Sequence, residues 1–205
     1  TDCAITPKML KSALRESVEK TYNCVSVDGD TSTNDTLIIL ASALAGNKTI
    51  TRKNTDYAAF LEALNAVNTE MARKIAGDGE GAEHLLECTV TGAKNDKTAR
   101  ALAKQVISSS LVKAAFFGKD ANWGRILCAM GYSGEVFDPA GTSVSFSSGA
   151  GDIAVFEKGV PLSFDEDKAK LVLTEGEVTI KIDLADGTGC GTAWGCDLTY
   201  EYVKI

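Results

Sequence analysis

The sequence predicts a mixed α/β (α+β) fold in two lobes. Three observations carry that prediction. Apolar residues recur at helical spacing through much of the first half of the chain. Short alternating apolar stretches, punctuated by glycine, fill most of the second half. Between them, Gly77-Asp78-Gly79-Glu80-Gly81 interrupts a long helical pattern. The seam is expected near residues 82–85, separating an N-terminal lobe, 1–83, from a C-terminal α+β lobe, 84–205. At 205 residues and 44% hydrophobic content, folding can bury roughly 70% of the unfolded chain's surface, enough for one domain or two small ones. General disorder is excluded by that apolar content.

Thr6-Pro7 opens the first helix. Thr suits the N-cap, and Pro suits the first helical position, where its missing N–H costs nothing. Leu10, Ala13, Leu14 and Val18 give the apolar stripe, ending near Lys20. Tyr22–Val27 predicts a short strand with Val25 and Val27 on one face. Nine polar residues follow, Asp28 to Thr36. Thr33, Asn34 or Asp35 can cap a helix running to Ala45, with Gly46 as its stop. That helix is apolar nearly all round and is expected to be buried.

Asp56 starts a longer helix, in which Tyr57, Phe60, Leu61, Leu64, Val67, Met71 and Ile75 keep the 3.6-residue period to Gly77. Leu85–Gly92 alternates, with Leu86, Cys88 and Val90 on one face. A third helix follows Asn95-Asp96 and uses Ala99, Leu102, Ala103, Val106 and Ile107. Gly118–Gly124 predicts a loop and Arg125–Met130 a helix. Strands are expected at Val144–Phe146, Ile153–Phe156, Val178–Leu184 and Leu198–Val203. No repeat of 20–50 residues is present.

Twenty-one basic against 28 acidic residues give a net charge of −7. That argues against nucleic acid or an anionic membrane surface as the main partner, and fits small-molecule chemistry, cationic substrates included. The longest apolar run, Leu37–Ala45, is nine residues with Ser42 inside it; a membrane helix needs about 20. No signal-peptide pattern opens the chain. Six cysteines make no CxxC pair and are expected as reduced core thiols of a cytosolic protein. Cys190 and Cys196 leave a disulfide or a metal as a minor alternative. A single histidine, His84, rules out a zinc site of several histidines and leaves one candidate base for a Ser-His-Asp triad. No initiator Met precedes Thr1, so processing, or residues missing ahead of it, is expected.

The Asp28–Thr36 stretch is the most informative. A loop between a strand and a helix gathers ligand groups, and the helix N-terminus offers free N–H donors. Asp28, Asp30 and Asp35 could take an ammonium group there while the helix end takes a carboxylate. A tight turn with Asx caps explains the same residues. Glu80, between Gly79 and Gly81, has an unshielded carboxylate and a backbone free to approach closely; a flexible link would look the same. Asn122, Trp123 and Arg125 fit either a ligand loop or a turn anchored by Trp123. Gly187-Thr188-Gly189-Cys190-Gly191 lacks the lysine of a phosphate loop, and nucleotide binding is not expected.

Several motifs together carry a resemblance: Val27-Asp28-Gly29-Asp30-Thr31-Ser32-Thr33-Asn34-Asp35-Thr36, Asp78-Gly79-Glu80-Gly81-Ala82, Ser110-Leu111-Val112-Lys113, Asn122-Trp123-Gly124-Arg125 and Ala193-Trp194-Gly195-Cys196-Asp197-Leu198-Thr199. In this order they resemble the β chain of the ornithine acetyltransferase (glutamate N-acetyltransferase) family of arginine biosynthesis. The resemblance implies an N-terminal-nucleophile-type αββα-like layer beside a strand-rich C-terminal lobe. It implies a precursor that cuts itself at an Ala-Thr bond into α and β chains, which stay together as an (αβ)2 heterotetramer. The new N-terminal Thr of β would be the nucleophile and its α-amine the base. Acetyl would pass from N2-acetylornithine to that hydroxyl, and then to glutamate in a ping-pong reaction. Some members also use acetyl-CoA.

Matched to the family pattern, Thr1-Asp2 falls after the cleavage site. About seven residues, the nucleophile included, are therefore expected upstream of Thr1, and a substrate-contacting tail beyond Ile205. No catalytic residue is then expected in this chain, and the oxyanion hole would lie on the α chain. Glu80 carries over as the substrate contact, its carboxylate suited to an ammonium. The Asp28–Thr36 loop is expected near the same pocket. The resemblance implies no metal, no cofactor beyond acetyl-CoA as a possible substrate, no nucleic-acid or membrane partner, and a cytoplasmic location, or the mitochondrial matrix in a fungus. A self-processing aminopeptidase or amidase and a non-catalytic binding subunit remain the competing readings.

Overall fold

A computed structural model describes the chain from Thr1 to Ile205. In chain order its elements are α1 (Pro7–Val18), a 3-10 turn (Tyr22–Cys24), β1 (Val25–Ser26), α2 (Thr55–Gly77), β2 (Leu85–Ala93), α3 (Asp96–Ser108), α4 (Ser110–Phe117), α5 (Trp123–Gly131), β3 (Ser143–Ser148), β4 (Gly151–Glu157), β5 (Val160–Pro161), α6 (Glu166–Thr174), β6 (Glu177–Asp183), β7 (Gly189–Cys196) and α7 (Tyr200–Lys204). The mixed α/β expectation holds: one seven-stranded sheet, in the order β1-β7-β2-β6-β3-β4-β5, combines parallel and antiparallel pairs. A two-sheet αββα layer would need a second sheet from outside this chain.

The chain divides into two units, Thr1–Asn23 with Thr31–Ala72, and Cys24–Asp30 with Arg73–Ile205. A single cut after residue 83 does not describe this division. β1 pairs in parallel with β7, which ties Cys24–Asp30 to the sheet. Arg73 bonds Glu87 of β2 and, at 2.9 Å, Glu177 of β6, so the last turn of α2 also belongs there.

In the first unit, Thr1–Thr6 is hydrogen-bonded along residues 40–50, with one parallel bridge, between Ile5 and Ile50. The Thr1 nitrogen donates to the Leu40 carbonyl (2.9 Å). Ser42 N–H donates to Thr1 and Ala45 N–H to Asp2; Ile50 N–H donates to Ala4, and Thr6 N–H returns to Ile50. Ile5, Met9, Ala13, Ile50 and Tyr57 form the core. The buried face of α1 is Met9, Ala13 and Ser17, one residue around from the predicted stripe. A buried polar pair explains the offset: the Asn68 amide donates to the Ser17 hydroxyl at 2.8 Å. The same rotation runs along α2, where Asn68, Ala72 and Ala76 are buried while Val67, Met71 and Ile75 are exposed. The predicted buried helix over 35–45 is absent, and Leu37–Ala45 is irregular and largely exposed. Its sequence has no polar face to define a helix orientation, and its backbone is hydrogen-bonded instead to Thr1 and Asp2.

In the second unit the helical patterns hold best. Leu86, Cys88 and Val90 of β2 are buried, as are Ala99, Leu102, Ala103, Val106 and Ile107 of α3. Asn95 caps α3 by accepting the Thr98 N–H (3.0 Å). Each fully buried aliphatic chain there contributes roughly 1.5–3 kcal/mol. The predicted loop at Gly187–Gly191 proves to hold the start of β7. A Cβ on Gly189 would lie 2.2 Å from the Asn95 carbonyl carbon, and one on Gly191 2.5 Å from the Arg100 nitrogen. Glycine there lets α3 cross the strand at backbone distance. The predicted strand Leu198–Val203 instead holds α7, capped by Thr199, and α4 and α6 were not foreseen. The polar face of the sheet carries an open groove of about 580 Å³ lined by Glu87, Thr89, Thr179, Lys181 and Ser145 among others.

Candidate functional site

Within the second unit, three chain segments meet at one end of the sheet. These are Val27–Asp30 after β1, Asp78–His84 between α2 and β2, and Cys196–Tyr202 after β7. β1 and β7 are parallel, so their carboxyl ends coincide, and Leu85 at the start of β2 pairs with Cys196. Carboxyl ends of parallel strands are where open α/β sheets hold ligands.

The glycines around Glu80 fit against the protein itself. A Cβ on Gly79 would lie 2.8 Å from Cys196 Sγ and 3.0 Å from Val27 Cγ1. Gly81 has φ +65°, and a Cβ there would lie 2.6 Å from the Tyr202 nitrogen. The break is thus a fixed turn pressed against the other two segments, not a flexible link. It leaves Glu80 exposed at its tip.

Side chains from beneath lock this junction. Lys113 of α4, 3% exposed, donates its ammonium to the Val27 carbonyl and to the Cys196 carbonyl (2.6 Å). It thereby fastens the ends of β1 and β7 together. Asp197 Oδ1 accepts the N–H groups of Glu83 (2.9 Å) and His84 (3.1 Å), and its Oδ2 meets His84 Nδ1 at 2.7 Å. Burial opposes ionisation of Asp197, but the His84 ring and the two N–H donors outweigh it and hold the carboxyl below its ordinary range. The Thr199 hydroxyl donates to the Gly81 carbonyl (2.6 Å) and caps α7 by accepting from Glu201 and Tyr202.

The outer surface of the junction is acidic. Asp28 Oδ1 accepts the Asp30 N–H (2.9 Å) in an Asx turn, and Asp28 Oδ2 accepts the Tyr202 hydroxyl (3.2 Å). That hydrogen bond, then the charges of Asp28, Glu80 and Asp30, push the Tyr202 phenol up. Three carboxylates therefore act on one point, which favours a ligand bearing an ammonium group. No activated nucleophile accompanies them. His84 is buried and committed to Asp197. Burial pushes the Cys196 thiol up; Lys113 opposes this, and Asp197 and Asp28 add to it. Glu83, His84 and Asp197 lie close enough to hold a metal ion, but both Asp197 oxygens and His84 Nδ1 are already bonded to each other's groups or to backbone N–H.

The other sequence candidates separate cleanly. No helix follows Asp28–Thr36, so the expected helix-end carboxylate site does not form. Asn122 caps α5 by accepting the Arg125 N–H (3.1 Å), Trp123 stacks on Phe156 at 4.9 Å, and Arg125 donates to the Leu111 carbonyl (2.8 Å). That segment is a structural turn. Cys190 and Cys196 are free thiols on one strand, about 20 Å apart along it. Sequence reasoning gave no role to Lys113, Asp197, Thr199 or Tyr202. Lys113 had a signal: it lies among Ser109, Val112 and Phe116, a spacing that places it on the buried side of α4.

Fold and junction define a mixed α/β protein with a rigid acidic corner and no free catalytic dyad of its own. The model of the ArgJ family matches residues 1–205, and the chain belongs to that family. It is 50% identical over 205 residues to "Arginine biosynthesis bifunctional protein ArgJ 1" of Clostridium acetobutylicum, covering all of this chain and 50% of that protein. It is 47% identical to the corresponding protein of Thermotoga neapolitana, covering 52% of it. The chain thus spans about half the length of these relatives. The crystal structure of arginine biosynthesis bifunctional protein ArgJ from Bacillus halodurans matches with TM-score 0.94 and 44% identity, over 100% of this chain and 94% of that one. No helix is long and apolar enough to cross a membrane.

Proposed function

We propose that this chain is the β chain of a two-chain acetyltransferase that moves acetyl from N2-acetylornithine to glutamate. The observation that carries the reading is unbroken similarity, 50% identical over 205 residues, to a protein of twice this length named for arginine biosynthesis. A crystal chain of nearly this length supports a precursor divided in two, with the other half as the α chain and an (αβ)2 heterotetramer as the assembly.

The nucleophile is a threonine upstream of Thr1. Its hydroxyl attacks the acetyl carbonyl, its α-amine takes the proton, and the amide nitrogen leaves protonated as ornithine. Glutamate's amine then attacks the acetyl ester, forming N-acetylglutamate and restoring the hydroxyl. A Thr–amine pair needs no imidazole, which agrees with His84 being buried against Asp197. The oxyanion hole comes from the α chain. Within residues 1–83, Glu80 contacts the bound amino acid through its ammonium, and Asp28 and Asp30 add to the same field. No metal or cofactor enters these steps. The word "bifunctional" in the relatives' names supports acetyl-CoA as a second acetyl donor. The relatives' bacterial sources and six free thiols agree with a cytoplasmic setting.

The test is to give the complete two-chain protein N2-acetylornithine labelled in the acetyl group, together with glutamate. Label is expected in N-acetylglutamate. Label only in free acetate would make the protein an amidase, and no turnover would leave it a binding subunit.

A further inference from the structure

We propose that Tyr202 is a positioning residue of the acidic corner: it bridges the Glu80 turn and the Asp28 loop, and fixes the Asp28 carboxylate as a second negative charge beside Glu80. This role rests on the reading above, in which Glu80 contacts a substrate ammonium. Tyr202 is anchored at both ends. At its backbone, the Tyr202 N–H donates to the Thr199 hydroxyl (3.4 Å), and that hydroxyl donates to the Gly81 carbonyl (2.6 Å). A Cβ on Gly81 would lie 2.6 Å from the Tyr202 nitrogen, so Tyr202 sits directly on the backbone next to Glu80. At its other end, the phenol donates to Asp28 Oδ2 at 3.2 Å. One side chain thus joins two acidic segments that lie 174 positions from Tyr202 at one contact and beside its own backbone at the other.

The two carboxylates are held differently. Glu80 is exposed at the tip of its turn, and no hydrogen bond within the chain ties its carboxylate down. It is free to meet a ligand. Asp28 is held from below and at both oxygens. Lys113 grips the Val27 carbonyl beneath it, the Asp30 N–H bonds Oδ1 (2.9 Å), and the phenol bonds Oδ2. A carboxylate held in this way supplies charge at a fixed place. Without the phenol, an exposed Asp side chain is free to change rotamer and turn outward, where solvent and salt screen its field on a cation at Glu80. The Asp28 hydrogen bond, then the charges of Asp28, Glu80 and Asp30, push the Tyr202 phenol up. At neutral pH the phenol therefore keeps its proton and remains a donor. Tyr200, two residues earlier on α7, instead places its ring against Phe117, with centroids 5.2 Å apart.

The experiment measures L-ornithine binding to the complete two-chain protein by calorimetry, beside KM and kcat for N2-acetylornithine. Tyr202→Phe keeps the ring and removes only the hydroxyl, so its unfolding midpoint should match wild type. It should weaken L-ornithine binding about twofold to tenfold, the range an ordinary hydrogen bond supports. KM should rise by the same factor while kcat stays within about twofold of wild type, as expected for lost binding without lost chemistry. Tyr200→Phe is the control and should change neither. In an Asp28→Ala background, Tyr202→Phe should cost nothing further, because the phenol acts through Asp28. An equal loss in that background overturns the inference, since the phenol then touches the ligand itself. Unchanged affinity and KM in Tyr202→Phe overturn it as well. A wild type that binds L-ornithine but transfers no acetyl removes the functional reading alone, and the calorimetric cycle still decides the role of Tyr202. A wild type that does not bind L-ornithine removes both.

Discussion

Helix α3 and the run Leu37–Ala45 are both rich in aliphatic side chains. Leu102, Val106 and Ile107 of α3 are fully buried, whereas Ile38, Leu40 and Leu44 are exposed. Apolar content does not separate them; pattern does. α3 alternates faces, with Lys97, Arg100 and Lys104 opposite its apolar stripe, so only one orientation on the sheet buries its apolar side and wets its charges. Leu37–Ala45 has no polar face and so specifies no orientation. Its backbone is hydrogen-bonded instead to Thr1 and Asp2. The lesson is that a patterned segment specifies which of its faces is buried, while an unpatterned run of similar apolar content does not.

The largest expected effect lies where burial is already complete. Asp197→Ala leaves the His84 ring and two buried N–H groups without an acceptor and should cost about 3–5 kcal/mol of stability by denaturant titration. A loss under 1 kcal/mol would mean the junction is not locked from beneath. Leu102→Ala should cost about 2–5 kcal/mol through its cavity. Its counterpart Leu40→Ala sharpens the comparison: Leu40 is 76% exposed, so the change should cost less than about 0.5 kcal/mol by the same titration, and a loss as large as that of Leu102→Ala would mean the run is covered.

Glu80→Ala tests the exposed tip of a fixed turn. It should raise KM for N2-acetylornithine about tenfold to a hundredfold, as expected for a charge-assisted contact, while the unfolding midpoint stays unchanged. Unchanged kinetics would remove Glu80 from the site. The smallest effect is electrostatic. Glu16 is held at about 2, first by the Lys53 hydrogen bond and then by that of Tyr57. Its folded value lies below the ordinary 4.5, so the contribution is present above that pH and fades as pH falls toward 2. The pair is exposed and screened by solvent, so its contribution is small. The stability gap between wild type and Glu16→Gln should close on acidification, and a gap that persists at low pH would contradict this account.

Much of the fold was legible. Thr6-Pro7, Asn95 and the stripe of α3 carry their own start signals and periods, and β2, β3, β4 and β6 alternate as half-buried strands do. α6 was legible but unread: Asp165 caps it, and Ala169, Val172 and Leu173 form its buried face. β7 was not, because Gly189 and Gly191 have the local preference of a loop and are strand residues only because α3 lies against them. At the site, Glu80 and the Asp28–Thr36 loop stood out as polar or Gly-flanked. Lys113 was legible only as a lysine on the buried side of α4, and Asp197 and Thr199 not at all, since the partners of all three are backbone groups 80 or more residues away.

The sequence by itself determined which segments carry a helix or strand period, and that an acidic loop and a glycine-bracketed glutamate exist. Only the tertiary structure decided that Glu80 and Asp28 share a corner, that a buried lysine and aspartate hold it, and that the most apolar run is left uncovered. Periods and caps are local, set by neighbours a few residues away. Junctions such as this one depend on long-range hydrogen bonds and close backbone approaches, which no local preference encodes.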